Sequence, residues 1–329
     1  MPRIVRIHEY GDASVLKLEQ LEVPAPAPDE VQIAVKAFGL NRAEVMFRNH
    51  AYLQEAEFPS RLGYEAAGVV QAVGSSVRGV QPGDAVSLIP PLDIARWGTY
   101  GELANVPGHL LVKHPAGLSF EQAAASWMQY VTAWGALIDQ ARLKPGDFVL
   151  VTAASSSVGL AALQVARKVG ATAIAVTRTR SKQQALLDAG AAQVIVSDEE
   201  DLVERVMALT AGQGARVVFD PVGGPAFDAL TRSMARGGIL LEYGALSPEP
   251  TPFPLFTVLG KSLTLKGYLY AEIVADSEAL ERAKAFILDG LESGALRPII
   301  AKTFPLEQIQ EAHRYLEANQ QVGKVVVSV

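Results

Sequence analysis

The sequence predicts an α/β protein with two domains, a doubly wound parallel sheet and a β-barrel. Short β-branched runs broken by turn residues fill about the first 120 positions, and from about Phe120 helices alternate with buried strands. Strand character returns from Arg297 to the end of the chain. Closely spaced short strands favour a barrel, whereas the alternation of helix and strand favours a parallel sheet covered on both faces.

The barrel domain is expected over residues 1–122 and 291–329. Turn residues such as Gly11-Asp12, Pro24–Pro28 and Pro82-Gly-Asp84 separate its first strands. Its predicted elements are strands at Ile4–Tyr10, Val15–Val23, Val31–Phe38, Ala66–Val73 and Ala85–Leu88, a late helix at Leu306–Ala318, and a last strand at Gly323–Val329.

The parallel-sheet domain is expected over residues 123–290. Short apolar runs alternate there with helical patterns, which indicates strands joined by crossover helices. The strands are predicted at Phe148–Val151, Ala173–Val176, Gln193–Val196, Arg216–Asp220, Gly238–Tyr243 and Ser262–Gly267. The helices are predicted at Phe120–Asp139, Val158–Val169, Ser181–Ala189, Asp198–Leu209, Gly224–Met234 and Ala275–Gly290.

Composition indicates an ordinary globular enzyme. The 329 residues are 49% hydrophobic and 19% charged, and the net charge of −6 offers no general attraction to nucleic acid or to an anionic membrane. The chain has no cysteine, which excludes disulfides and thiolate chemistry. No signal-peptide pattern opens the sequence, and no apolar run reaches the ~18 residues of a membrane span. We therefore expect a cytoplasmic protein.

The segment Phe148–Lys182 has the pattern of a dinucleotide site. A buried strand leads into a turn of small residues, a helix and a second strand. In the G-x-G-x-x-G frame the key positions are Ala154, Ser156 and Gly159, so one glycine survives and the motif alone is weak. Small side chains still let backbone N–H groups approach a pyrophosphate at the start of the helix, and this context favours a nucleotide site over a turn without function.

The end of the second strand indicates NADP(H) rather than NAD(H). An NAD site usually places an acidic residue there to bind the ribose hydroxyls. Here Thr177-Arg-Thr-Arg-Ser-Lys182 supplies cations and hydroxyl groups, which suit a 2′-phosphate. Cations at a helix start oppose the helix dipole, so a bound phosphate explains Arg178 and Lys182 better than a solvated helix start does.

Eight short motifs, in this order, resemble the medium-chain dehydrogenase/reductase superfamily, and within it the zinc-free quinone oxidoreductases. They are Phe38-Gly-Leu-Asn-Arg-Ala-Glu44, Gly63-Tyr-Glu-Ala-Ala-Gly68, Val80-Gln-Pro-Gly-Asp-Ala-Val86, Gly98-Thr-Tyr-Gly-Glu102, Gln129-Tyr-Val-Thr-Ala133, Ala153-Ala-Ser-Ser-Ser-Val-Gly159, Phe219-Asp-Pro-Val-Gly223 and Gly323-Lys-Val-Val326. The resemblance covers nearly the whole chain. It implies a GroES-like barrel, a Rossmann-type domain, an active site in the cleft between them and a homodimer.

The resemblance also bears on metal binding. Zinc-dependent members place ligands where this chain has Asn41, Tyr64 and Met128, and the four cysteines of their structural zinc lobe are missing. Zinc sites need about four N, O or thiolate ligands in a tetrahedral array. The five histidines show no metal-ligand spacing. We therefore expect no metal.

Without a metal, the simpler reaction is hydride addition to a quinone or an α,β-unsaturated carbonyl, with hydrogen-bond donors at the developing oxyanion. The resemblance implies Asn41, Tyr52 and Tyr64 as these donors, with Tyr52 giving the proton. Other roles stay open: Asn41 as a turn residue, Tyr52 as a packing aromatic, and Tyr64 with Glu65 as a buried pair. Arg42 and Glu44 are expected to form a surface ion pair.

The resemblance further implies a set of cofactor contacts. One group reaches the nicotinamide half, a second meets the pyrophosphate, and a third lies beside the adenosine. The implied residues are Gln129, Tyr130, Thr132, Ser156, Ser157, Val158, Thr177, Arg178, Lys182, Val222, Tyr243, Gly244, Leu246, Tyr268 and Lys324.

Two other functions remain open at this stage. One is an enoyl-thioester reductase, and the other is a protein that binds NADPH without catalysis. The sequence does not identify the physiological acceptor or the number of electrons transferred at a time. We expect a small-molecule substrate, a homodimer, and no nucleic-acid or membrane partner.

Overall fold

The computed structural model describes all residues from Met1 to Val329. The chain forms two compact units, Met1–Met128 with Pro298–Val329, and Gln129–Arg297. Both boundaries lie a few residues beyond the predicted ones. The reason at the first boundary is a short helix, Phe120–Ala124, whose buried alanines pack with Ala37, Ala67 and Val326 of the first unit.

The first unit contains a seven-stranded, largely antiparallel sheet and a separate two-stranded hairpin. Its strands are β1 (Arg3–Arg6), β2 (Lys17–Gln20), β3 (Glu30–Leu40), β4 (Glu65–Val73), β5 (Ala85–Leu88), β6 (Leu103–Pro107), β7 (Leu111–Lys113), β14 (Ile300–Pro305) and β15 (Lys324–Ser328). Its helices are α1 (Arg42–Arg48), α2 (Phe120–Ala124), the start of α3 (Trp127–Trp134) and α11 (Ile309–Glu317).

This unit confirms the expected barrel-type domain, although its sheet is not strictly a closed barrel. The strand order is β14-β15-β3-β4-β5-β7, and β6 pairs with β3, so β14 and β7 remain at the two ends. The long strand β3 is central because it pairs with β15, β4 and β6. The predicted return of the C-terminal tail is confirmed, since β15 runs antiparallel to β3 along Ala37–Leu40.

The second unit is a six-stranded parallel sheet in the order β10-β9-β8-β11-β12-β13. Its strands are β8 (Phe148–Val151), β9 (Thr172–Thr177), β10 (Gln193–Val196), β11 (Ala215–Asp220), β12 (Met234–Glu242) and β13 (Thr264–Gly267). Its helices are most of α3, then α4 (Ser157–Lys168), α5 (Gln183–Asp188), α6 (Leu202–Leu209), α7 (Phe227–Arg232), α8 (Leu255–Lys261), α9 (Ala271–Ala275) and α10 (Ser277–Ser293). This confirms the predicted doubly wound sheet.

The predicted helix Phe120–Asp139 is wrong in detail. The chain forms α2, then α3, and then a wider π-helical turn at Gly135–Gln140. Gly135 faces the Tyr268 hydroxyl, and a Cβ at this position would clash with that oxygen. No helix combines the length and apolar character that crossing a bilayer requires.

Candidate active site

The turn after β8 is shaped to bring backbone close to a ligand. Ala153 adopts a left-handed conformation with φ of 42°. Ser156 is the N-cap of α4, and its hydroxyl oxygen accepts a hydrogen bond from the Gly159 N–H at 3.0 Å. A Cβ on Gly159 would lie 2.7 Å from the Ala153 oxygen and from Ala154. Glycine there allows the close helix–strand packing expected of the third glycine in the dinucleotide motif.

Three cations follow the end of β9 and lie beside this turn. Arg180 forms an ion pair with Glu199, whereas Arg178 makes no ion pair. The Lys182 ammonium donates to the Ser155 hydroxyl oxygen at 3.1 Å. Burial, and then the nearby Arg178, lower the pKa of Lys182. Two neighbouring cations, one of them without a carboxylate partner, suit a phosphate group.

The loops after β8, β11 and β12 lie together at the carboxyl edge of the parallel sheet. The Thr152 hydroxyl donates to the Asp220 carboxylate. The Leu246 N–H donates to the Pro221 carbonyl at 3.0 Å. Tyr243 also lies at this edge, stacked on a neighbouring ring. The carboxyl edge of a parallel sheet is where such folds bind nucleotides. Eight predicted cofactor residues lie at this edge: Ser156, Ser157 and Val158 at the start of α4, Thr177 at the end of β9, and Val222, Tyr243, Gly244 and Leu246 in the loops after β11 and β12.

The side chains of other predicted cofactor residues are buried inside the second unit. The Tyr130 hydroxyl donates to Gln164 Oε1 at 2.7 Å, and the Tyr268 hydroxyl donates to the Val131 carbonyl at 3.4 Å. Burial raises the pKa of both phenols. In contrast, the buried Gln129 Oε1 has no hydrogen-bond partner, so it is open to a donor from a ligand. The predicted contacts at Gln129, Tyr130, Thr132 and Tyr268 stay predictions.

These residues together fit an anionic dinucleotide. The start of α4 supplies unpaired backbone N–H groups and a positive dipole end. Arg178, which makes no ion pair, and the neighbouring Lys182 supply positive charge, and Gln129 supplies a buried acceptor without a hydrogen-bond partner. A nicotinamide dinucleotide phosphate has groups of each matching kind.

A buried acid pair at the same edge was missed by the sequence analysis. Asp220 and Glu242 end two adjacent strands, where they are register partners. Burial, and then the Asp220 carboxylate, raise the pKa of Glu242 to about 9. The sequence did contain a signal for this pair, because an acid stands at or next to the end of each of two consecutive predicted strands. Neighbouring parallel strands end at the same edge of a sheet, so these two acids could have been expected to meet.

In the first unit, two predicted donors form a hydroxyl pair. The buried Tyr64 hydroxyl donates to the Tyr52 hydroxyl at 3.1 Å, and the two rings meet edge to face. Burial raises the pKa of Tyr52, so this phenol is neutral near pH 7. Since Tyr52 accepts from Tyr64, its own proton is available for an acceptor. The donation from Tyr64 favours the Tyr52 anion and so opposes part of this rise in pKa, although the effect of burial is larger.

Asn41 and Lys324 lie in a buried polar network in the same unit. The Lys324 ammonium pairs with the Glu65 carboxylate and donates to Asn41 Oδ1 at 2.6 Å. The Asn41 amide nitrogen donates to Glu65 at 3.3 Å and to Glu44 at 3.2 Å. The amide of Asn41 is thus engaged within the protein. The predicted roles of Asn41 as a substrate donor and of Lys324 as a cofactor contact are not favoured by this geometry and stay predictions.

The expected surface ion pair between Arg42 and Glu44 is wrong. Glu44 is fully buried at the start of α1 and accepts the N–H groups of Asn41 and Tyr64. Arg42 instead donates to the Leu316 carbonyl at 3.1 Å. Burial raises the pKa of Glu44 to about 8, although the Lys324 charge and the Asn41 bonds oppose this rise. The Asn-x-x-Glu spacing of a capping box was the signal in the sequence.

Comparison with known proteins gives the family. A model described as an alcohol dehydrogenase GroES-like domain matches residues 27–116, and one described as a zinc-binding dehydrogenase matches residues 157–287. The chain is 33% identical to quinone oxidoreductase 1 of Escherichia coli strain K12 over 97% of both chains. It belongs to the medium-chain dehydrogenase/reductase superfamily, in the quinone oxidoreductase-like group.

Solved structures of this superfamily agree in fold. The Escherichia coli quinone oxidoreductase complexed with NADPH superimposes with a TM-score of 0.92 at 32% identity, covering 99% of this chain and 100% of that one. The CurK enoyl reductase gives a TM-score of 0.89 at 26% identity, with 99% of each chain covered. In this member of the superfamily, no group of three or more His, Cys, Asp or Glu side chains could hold a metal ion.

The raised pKa of Glu44 predicts a pH dependence of stability. The unfolded chain loses the Glu44 proton near the ordinary pKa of 4.5, whereas the folded protein keeps it up to a pH of about 8. The stabilisation is therefore complete below pH 4.5 and is lost as the pH rises to 8. Between about pH 5 and 8, the free energy of unfolding should fall by roughly 2–4 kcal/mol more in the wild type than in Glu44→Gln.

Urea unfolding at a series of pH values measures this difference. Glu292→Gln, which removes an exposed carboxylate, is the control and should follow the wild-type pH dependence. Identical pH dependence in the wild type and Glu44→Gln would show that Glu44 is ionised in the folded protein.

Proposed function

We propose that this chain is an NADPH-dependent oxidoreductase that transfers hydride to a quinone or an α,β-unsaturated carbonyl without a metal ion. The observation that carries the proposal is the pair of neighbouring cations Arg178 and Lys182 beside the start of α4, of which Arg178 makes no ion pair. An NADPH-bound structure of the Escherichia coli relative supports the choice of cofactor. The names of the relatives support a quinone as acceptor.

The residues of the chain have separable tasks in this reaction. Backbone N–H groups at the start of α4 hold the pyrophosphate, and Arg178 and Lys182 hold the 2′-phosphate. When bound, NADPH supplies the hydride that adds to the conjugated carbon of the acceptor. Negative charge then develops on the carbonyl oxygen, which the Tyr52 hydroxyl stabilises by hydrogen bonding and protonates. Tyr64 donates to Tyr52 and so stabilises the phenolate.

An enoyl-thioester reductase is the second candidate. The structural similarity to CurK enoyl reductase favours it, and the same tyrosine could protonate a reduced thioester. The two functions are distinguished by comparing steady-state turnover of 1,4-quinones with that of crotonyl thioesters, with NADPH as the reductant in both assays. Tight NADPH binding with no oxidation across a broad panel of acceptors would instead support a protein without catalytic activity.

The proposal includes a cytoplasmic homodimer. The second unit exposes an apolar patch of Phe253, Leu255, Phe256 and Leu259 on and before α8, with Phe256 86% exposed. Strand β13 is close to it in sequence and lies at the edge of the parallel sheet. Exposed apolar patches and unpaired sheet edges are typical of interfaces, and a twofold axis would pair the two β13 edges antiparallel.

Arg178→Ala should raise the dissociation constant for NADPH roughly 10- to 100-fold and change that for NADH less than about 2-fold, because NADH lacks the 2′-phosphate. Arg180→Ala is the matched control: its guanidinium is already paired with Glu199, so its effect on NADPH should be small. Isothermal titration calorimetry with both coenzymes measures the constants. Equal losses of NADPH and NADH affinity in Arg178→Ala would refute the phosphate assignment.

Tyr52→Phe should lower kcat with enones by roughly 10²- to 10⁴-fold, which is the usual contribution of a general acid. NADPH affinity should be unchanged, since the altered hydroxyl bonds to Tyr64 in the first unit. Stopped-flow NADPH oxidation measures the rate, and calorimetry measures the affinity. An unchanged kcat would remove Tyr52 as the proton donor.

A variant with Phe256→Glu and Leu259→Glu should sediment as a monomer where the wild type sediments as a dimer, because two carboxylates would have to be buried in the interface. Leu53→Glu is the control, since Leu53 is 77% exposed but belongs to the first unit. Analytical ultracentrifugation gives the masses. A monomeric wild type, or a dimeric double variant, would contradict the proposed interface.

A further inference from the structure

The buried network of the first unit contains one cation and two acids. The Lys324 side chain is 0% exposed and that of Glu65 is 1% exposed, and Glu44 is fully buried. Lys324 lies at the start of β15 and Glu65 at the start of β4, while Glu44 lies in α1. The ammonium forms an ion pair with the Glu65 carboxylate, and the buried Glu44 carboxyl group lies close to both through Asn41.

The backbone is built around this pair. Gly39 precedes the network in β3, and a Cβ on it would lie 2.7 Å from Glu65 Oε1 and 2.8 Å from Lys324 Cε. The other oxygen of Glu65 accepts the Met128 N–H at 3.0 Å. Even an alanine side chain at residue 39 would thus displace the ion pair. Glycine at this position leaves the space that the ammonium and the carboxylate occupy.

The network ends at the tyrosine pair. Asn41 links the Lys324 ammonium to Glu44, since its oxygen accepts from Lys324 and its nitrogen donates to Glu44. Glu44 in turn accepts the backbone N–H of Tyr64 at 3.1 Å. The hydroxyl of Tyr64 then donates to the hydroxyl of Tyr52 at 3.1 Å. A continuous set of contacts runs from Lys324 to the predicted proton donor.

Stability alone does not account for such a pair. Removing two charges from water opposes the gain from their attraction, and well-packed apolar side chains are often as stabilising as a buried ion pair. An ion pair with saturated hydrogen bonds does, however, define the positions of its partners more narrowly than apolar packing does. In this network, the hydrogen bonds around the ion pair define the positions of the Asn41 amide, the Glu44 carboxyl group and the Tyr64 backbone.

We propose that Lys324 is a positioning residue: its pairing with Glu65 and Asn41 fixes Tyr64 and thereby sets the Tyr64 hydroxyl against that of Tyr52. The inference rests on the proposed function for the role of Tyr52 as proton donor. It gives Lys324 a task inside the first unit in place of a cofactor contact. Without the ammonium, the buried Glu65 carboxylate would lose its counter-ion and Asn41 Oδ1 its donor, so that the Asn41 amide and the Glu44 contact to Tyr64 would rearrange.

The experiment compares Lys324→Met with the charge-balanced double variant Lys324→Met/Glu65→Gln. The single variant leaves unbalanced buried acid and should lose thermal stability, whereas the double variant should recover most of it. In both, kcat for the acceptor should fall roughly 10- to 100-fold while the NADPH dissociation constant stays within about 2-fold. Lys302→Met, which removes an exposed ammonium from the same unit, should leave kcat unchanged.

Two kinetic outcomes would overturn the inference. Recovery of kcat together with stability in the double variant would show that Lys324 acts on stability alone. A large rise in the NADPH dissociation constant would make Lys324 a cofactor contact. Combination with Tyr52→Phe gives a further readout: if Lys324 acts through the tyrosines, Lys324→Met should lower kcat less than about 2-fold in that background. Multiplicative losses would contradict the proposal.

A structural readout keeps the inference separate from the proposed function. In a crystal structure of the double variant, the Tyr64 and Tyr52 hydroxyls should lie beyond hydrogen-bond distance, in contrast to the 3.1 Å separation here. An unchanged separation would overturn the inference even in an active enzyme. If the wild type reduces no quinone, enone or enoyl thioester, the proposed function fails, and this separation still decides the role of Lys324.

Discussion

The acceptor side of the proposed site depends on one buried ammonium. Lys324 pairs with the Glu65 carboxylate of β4, and Gly39 leaves the space that this pair occupies. Because these acids also bind backbone N–H groups of Asn41, Tyr64 and Met128, the ion pair joins four segments that are far apart in sequence. The orientation of Tyr64 follows from these contacts, and the Tyr52 hydroxyl is held by Tyr64 in turn.

The nucleotide side is organised by a different constraint, the close approach of α4 to β8. Gly159 permits that approach, and Ser156 caps the helix so that the turn is fixed without further glycines. A chain with one glycine of the usual three can thus keep the same backbone path. In the proposed function, the preference for NADPH over NADH is set separately, by which cations beyond β9 have no acidic partner. Arg180 is neutralised by Glu199, whereas Arg178 is not.

The sequence predicted the parallel sheet well because four of its strands, β8 to β11, are largely buried on both faces. The runs at Phe148–Val151 and Gln193–Val196 have the bounds that the structure shows. The first unit was harder, since β6 contains a polar Asn105 and β7 has three residues, and neither gives a clear alternating pattern. The open sheet in place of a closed barrel follows from long-range pairing, which local patterns do not contain.

The same limit applies to the site. Tyr52 and Tyr64 were predicted, but local sequence does not show which acid meets which cation across a distance of hundreds of residues. Glu44 looked like a surface partner of Arg42 because the two are near in sequence, yet it is buried, and the cation that opposes the rise in its pKa is Lys324 at the other end of the chain. In the proposed mechanism Tyr64 holds Tyr52, and the position of Tyr64 depends on a residue that sequence reasoning had given to the cofactor. The positions of buried charges, rather than the identities of the donors, are what the fold adds to the sequence.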